Sequence, residues 1–107
     1  MADGQISVSA ALLADIKNEL DITWSDQTTD AKTTNYIRSG IAYLNGKYGG
    51  EANYEQDGLP RTLLFEYCRY SRDGALDVFE NNYLSLILAM QNDKAVDDEK
   101  MESTAET

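Results

Sequence analysis

Apolar residues recur along this chain at the spacing of helices, in three blocks separated by polar turns. Leu12, Leu13, Ile16 and Leu20 form the first stripe, at i, i+4 and i+8 with one flanking leucine. Ser9 can accept from the free N–H groups of a first turn, so a helix is predicted over residues 9–20. Ile22 and Trp24 then fall out of helical register, and Trp24 is expected to plug the open end of a small bundle. Residues 25–30, SDQTTD, are turn and capping residues, and Asp26, Thr28 or Thr29 could each cap the next helix. Ile37, Ile41, Leu44 and Tyr48 define that helix, over about 28–47, with Tyr36 and Tyr43 beside the stripe. Gly40 inside it marks either the close approach of a neighbour or a tolerated weak point. Gly49 and Gly50 supply the stop.

The densest apolar block runs from Leu59 to Met90. Leu63, Leu64, Tyr67, Cys68 and Tyr70 spread wider than one stripe, while Leu76, Phe79, Tyr83, Ile87 and Met90 share a face that Leu84 and Leu88 widen and Val78 leaves. Pro60 suits a first helical turn, where its missing N–H has no partner to lose. Asp73-Gly74 is a turn pair within the block, so two helices are expected, at 60–73 and 75–91. A surface helix needs an apolar arc of little more than ~100°. The surplus is read as a second face offered to another chain; a central helix covered by its own domain is the competing reading. The expected architecture is all-α, a small bundle of three to four helices over residues 8–91, with a flexible N-terminus at 1–7 and a flexible acidic tail at 92–107.

Composition narrows the function. Nineteen acids against nine bases give a net charge of −10, and the 107 residues contain no histidine. Such a balance repels duplex DNA instead of gripping it. Cys68, the single cysteine, cannot form an internal disulfide, and without histidine it lacks the base of a papain-like nucleophile. The first residues have no signal-peptide character, and no apolar run approaches the ~20 residues of a membrane span, so a soluble protein made in a cytoplasm is expected.

Candidate chemistry is sparse. Residues 53–58, NYEQDG, imitate the start of a calcium loop, but the position that should carry the bidentate glutamate holds Leu64. Arg61, Arg69 and Arg72 form the one basic cluster, with Phe65, Tyr67 and Tyr70 interleaved. Stacking on single-stranded nucleic acid would use such a set, but three arginines in so acidic a chain point instead to pairing with carboxylates, inside the bundle or across a contact between chains. The candidate interface is therefore Arg61, Phe65, Tyr67, Arg69, Tyr70, Arg72, Val78, Leu84 and Leu88. No catalytic, cofactor-binding or metal-ligating constellation stands out, and no enzyme activity is expected.

Three pieces of the chain, the DITW turn, the AYLN…GG helix ending and the block LLFEYCRYSRDGALDVFENNYLS, resemble the head-tail connector (adaptor) proteins of long-tailed bacteriophages and prophages, in a Gram-positive branch. The likeness spans residues 8–91. It implies a structural part, without cofactor or catalysis, assembled in the host bacterial cytoplasm and ending in the virion neck. Copies would form a ring beneath the portal protein, extend the DNA channel and dock the next neck protein, the head-closure or stopper component. DNA would pass without sequence-specific binding, and an acidic wall suits that passage. The C-terminal part would reach toward the portal. The alternative reading is an acidic helical inhibitor or DNA mimic that binds a host enzyme.

Overall fold

A computed structural model of the chain describes the backbone of residues 6–106 and the side chains of residues 6–99. Among these the regular structure is helical throughout: α1 (Ala10–Glu19), α2 (Gln27–Tyr48), α3 (Leu59–Arg72), a 3-10 turn at Leu76–Val78, and α4 (Phe79–Glu106). The all-α bundle expected from the stripes is what forms.

Local chemistry sets the helix ends. Ser9 accepts from the Leu12 N–H at 3.0 Å, and Asp26 accepts from Thr29 at both its N–H and its hydroxyl. Those two bonds hold the Asp26 carboxyl below the usual range, the side-chain bond contributing most. Pro60 sits in the first turn of α3. The first three helices close in the same way, with the N–H of Ile22, Gly50 and Ala75 reaching back to the carbonyls of Lys17, Asn45 and Tyr70. This closure needs a left-handed residue one position earlier. Gly49 and Gly74 supply it at φ +87° and +70°, and Asp21 does so at +60°.

Packing builds outward from α2 and α3. Ile37, Ile41 and Leu44 of α2 meet Leu63, Leu64, Tyr67 and Cys68 of α3, all buried. Gly40 is what lets the two axes close up: a Cβ there would stand 2.7 Å from Leu64 Cδ1 and 2.8 Å from Tyr67 Cδ1. The glycine marks a close approach. Leu12, Ile16, Leu20 and Ile22 join the same core from the α1 side, and Phe79, Ile87 and Met90 join it from α4. Lys17–Asp30 at 2.7 Å and Arg61–Asp15 at 2.8 Å tie α1 to α2 and to α3.

The structure corrects four expectations. First, Trp24 does not plug the bundle: it is 49% exposed, its indole N–H donating to Thr29 Oγ1 at 3.3 Å, and the smaller Ile22 fills the end of the core. Second, Ile6, expected within a flexible N-terminus, packs on the core, and its carbonyl accepts from Arg38. Third, α4 does not stop near residue 91 but continues to Glu106. No Gly or Pro follows Gly74 to interrupt it, Lys94 bridges Asp98 one turn on at 2.6 Å, and the Lys94 ammonium lies 5.5 Å from the Tyr48 ring centre. Residues 1–5 and Thr107, the extremes of the two expected flexible ends, lie outside the described residues.

Fourth, the surplus apolar face of residues 59–90 is largely consumed at home. Leu63, Leu64, Cys68, Phe79, Ile87 and Met90 are all buried within the chain. Four rings, Tyr43, Tyr67, Tyr70 and Tyr83, pack around Phe79 with centroid separations of 5.1 to 6.0 Å. Aromatic pairs so arranged contribute about 0.5–1.5 kcal/mol each beyond their area, so the cluster covers itself.

Candidate interaction surface

The nine residues expected at an interface divide into two groups. Those on α3 work inside the fold. The Arg61 guanidinium donates to the Tyr54 carbonyl at 2.9 Å and to Asp15 at 2.8 Å, and it lies 4.6 Å from the Phe65 ring centre. Arg69 lies 3.7 Å from Glu19 and 3.5 Å from Glu66. Arg72 donates to the Leu20 carbonyl, an acceptor left open at the end of α1. Tyr67 is only 8% exposed, against Tyr43 and Phe79, and so leaves the interface set. Tyr70 is half-buried against Phe79 and Tyr83, and its hydroxyl accepts from Asn82 at 3.2 Å. The arginines thus find their partners within the bundle.

Val78, Leu84 and Leu88 are the group left outside, at 42%, 44% and 53% exposure. Their position follows from the bundle. Phe79, Tyr83, Leu86, Ile87 and Met90 turn inward, which puts Leu84 and Leu88, one turn apart, on the outer side of α4. Near the start of this row the Glu80 carboxylate accepts from the Tyr43 hydroxyl and sits 2.9 Å from Lys47 Nζ. The Tyr43 bond, then Lys47, holds the Glu80 carboxyl below its ordinary value. Burial, then Glu80, pushes the Tyr43 phenol well above its own. At Tyr83 the helix leaves regular geometry, at φ −114° and ψ 16°. The Tyr83 hydroxyl donates to Glu66 at 3.0 Å, and burial, then Glu66, raises its pKa to about 12.

Residues 81–92, NNYLSLILAMQN, hold the feature that hydrophobic spacing does not reveal: twelve consecutive residues without a charge. A scan for gaps in the charge pattern, separate from the apolar pattern, finds it. Every exposed position in that run is Asn, Ser or Leu: Asn81, Asn82, Leu84, Ser85, Leu88 and Asn92. Below it the outer surface of α4 turns acidic with Asp93, Asp97, Asp98 and Glu99, and Val96 stands exposed among them.

Elsewhere the concavities are occupied with their own chemistry. A groove of about 620 Å³ runs between Ile6, Leu12, Ile41, Asn45 and the 51–55 segment. Its central polar group, Asn45 Oδ1, already accepts from the Ala52 N–H and the Tyr54 hydroxyl. In the calcium-like segment Asn53 bonds Glu55 N–H and Gln56, Glu55 accepts from Ser9, and Leu64 lies in the core. Among the described residues no group of three or more His, Cys, Asp or Glu side chains is placed to share a metal ion. Burial pushes the Cys68 thiol up to about 12, so it stays protonated and unreactive at neutral pH. No described helix is long and apolar enough to cross a membrane. The chain matches no family model, no curated protein and no solved structure.

Proposed function

We propose that this protein is a non-catalytic assembly part, a head-tail connector that docks as a ring on a phage portal, lengthens the DNA channel and presents a surface to the next neck protein. The observation that carries the reading is α4. It has 28 residues with a kink at Tyr83, and the part after the kink spans about 35 Å at ~1.5 Å per residue, in a molecule 53 Å long and 31 by 26 Å across. Among the described side chains its core contacts run from Phe79 to Met90, and Val78 just before it and Leu84, Leu88 and Val96 along it stand exposed. Exposed leucines at helical spacing on an edge helix suit a part that gains its remaining contacts from neighbours. The resemblance of residues 8–91 to connector proteins supplies the identity of those neighbours, and the net charge of −10 suits a wall along which DNA moves without adhering.

On this reading the portal acts as template. Its symmetry offers many equivalent sites at once, which raises the effective concentration of each weak contact. The test is co-sedimentation of the purified chain with the portal protein encoded in the same genome, followed by imaging. A ring of added density under the portal is expected. No binding overturns the proposal, and stable rings of the free chain at micromolar concentration overturn the template role.

A further inference from the structure

We infer that the uncharged strip of α4 is a pairing surface for a second copy of this chain, and that the free protein associates as a weak two-fold dimer, strip against strip. A molecule of net charge −10 repels its own kind, so a contact between copies needs a place where approach brings no carboxylates together. Six large apolar side chains are exposed among the described residues: Trp24, Leu76, Val78, Leu84, Leu88 and Val96. Four of them stand beside acids. Trp24 lies between Asp21 and Asp26, Leu76 and Val78 flank Asp77, and Val96 adjoins Asp97. Leu84 and Leu88 alone have no charged residue within three positions on either side.

That pattern separates two kinds of occupant. A basic partner would gain from free acids around the leucines, and the one acid a turn away, Glu80, is already held by Lys47 and Tyr43. A second copy would be opposed by such acids, and their absence removes the obstacle. The second copy must meet the strip with an uncharged apolar surface of its own, and the same strip is the one that qualifies. Two α4 helices packed antiparallel would set Leu84 against the other copy's Leu88 and place Asn81, Ser85 and Asn92 at the border, where amide and hydroxyl groups can bond across. Such a contact is isologous and closes on itself, so it stops at two copies and does not extend into a ring. This deepens the connector reading by describing the state from which docking starts, but the two stand or fall separately.

The strip exposes only Asn81, Asn82, Leu84, Ser85, Leu88 and Asn92, against roughly 20–30 residues a side in a stable complex, so pairing in the region of about 0.1 mM is expected. Sedimentation equilibrium of the full chain at about 0.1 M and about 1 M salt tests it, since the screening length falls from about 10 Å to about 3 Å between them. Association should strengthen with salt as the net repulsion is screened. Leu88→Glu should weaken it at least tenfold, with helix content and thermal midpoint unchanged because the position is exposed. Asn35→Glu, an equal charge change at an exposed site on α2, should leave most of it. Leu84→Lys should also weaken it, and an equimolar mixture of the Leu88→Glu and Leu84→Lys chains, which sets the two charges opposite each other, should recover mixed dimers. A chain that stays monomeric to millimolar concentration, association that weakens with salt, or no recovery on mixing overturns the inference. Portal co-sedimentation of the unchanged chain is scored separately: docking without pairing overturns this inference alone, and pairing without docking overturns the connector reading alone.

Discussion

α3 and α4 enter the fold with similar apolar loads and leave it with different surfaces. On α3, the aromatic and arginine side chains that resemble a docking face are absorbed: Tyr67 into a ring cluster, Arg61 and Arg69 onto carboxylates of the same chain, Arg72 onto the end of α1. On α4 the inward row is absorbed in the same way, but the row behind it, Leu84 and Leu88, faces nothing. The difference comes from the number of neighbours. α3 lies between α1, α2 and α4, whereas α4 touches α2 and α3 and, among the described residues, does not reach α1. A helix touched by three others can bury a wide apolar arc, and a helix at the edge cannot.

The sharpest way to break this contrast is to truncate one residue from each side of α4. Phe79, at the centre of the ring cluster, should cost about 3–5 kcal/mol as Phe79→Ala, close to the whole stability of a small domain. Leu88→Ala should cost less than about 0.5 kcal/mol. Urea denaturation of both variants checks the pair. Comparable losses would mean that the outer row is covered after all.

A second pair tests the α2–α3 contact on which the sandwiching of α3 depends. Gly40→Val forces methyl groups against Leu64 and Tyr67 and should cost about 3 kcal/mol. Gly46 lies on the same helix, and a Cβ added there would meet nothing within 4 Å. Gly46→Ala should instead stabilise by about 1 kcal/mol, the usual helix preference. Thermal midpoints should move in opposite directions.

The internal use of the arginines is the next point of attack. Arg61→Ala removes bonds to Tyr54 and Asp15 and the cover over Phe65, and should cost about 2 kcal/mol. Lys32→Ala, at an exposed position, should be close to neutral. If Arg61→Ala were neutral and instead abolished binding to a partner, the arginine cluster would belong to an interface.

What is legible in the sequence is mostly local. Ser9, Gly49 and the Asp73-Gly74 break act through bonds to residues within a turn or two, and Pro60 through its fixed backbone angle, so their roles can be read without the fold. Periodicity likewise identifies which residues share a face, and Leu12, Ile16, Ile37, Leu44, Phe79 and Ile87 are all buried. It cannot say what covers a face, which depends on partners distant along the chain. Trp24 departs from expectation for that reason: its size suits a core, but the left-handed turn at Asp21 aims Ile22 inward and leaves Trp24 on the rim. Arg61 and Asp15, 46 positions apart, meet through topology alone. The uncharged run at 81–92 is present in the sequence but becomes informative only once its outward side is known.

The smallest expected effect is also the most local, and it concerns the seam where α4 leaves the core. Glu80 is exposed, yet the Tyr43 hydroxyl and then Lys47 hold its carboxyl below the ordinary 4.5. A carboxyl lowered on folding contributes stability that is present above its unfolded pKa and disappears as pH falls through the folded value. The seam should therefore loosen only under acid conditions, below about pH 4.5, and be insensitive around neutral pH. Tyr43→Phe keeps the ring against Tyr67 and Phe79 but removes the donor, so the Glu80 titration, followed by carboxyl NMR shifts, should move upward toward its ordinary value. The acid limb of the stability curve should move with it. Lys47→Met should also raise the Glu80 pKa, since the lysine supplies a second hydrogen bond and its charge beside the tyrosine bond, the largest single cause. If the lysine change proved the larger, charge and not the hydroxyl would be what fastens the start of α4 to α2.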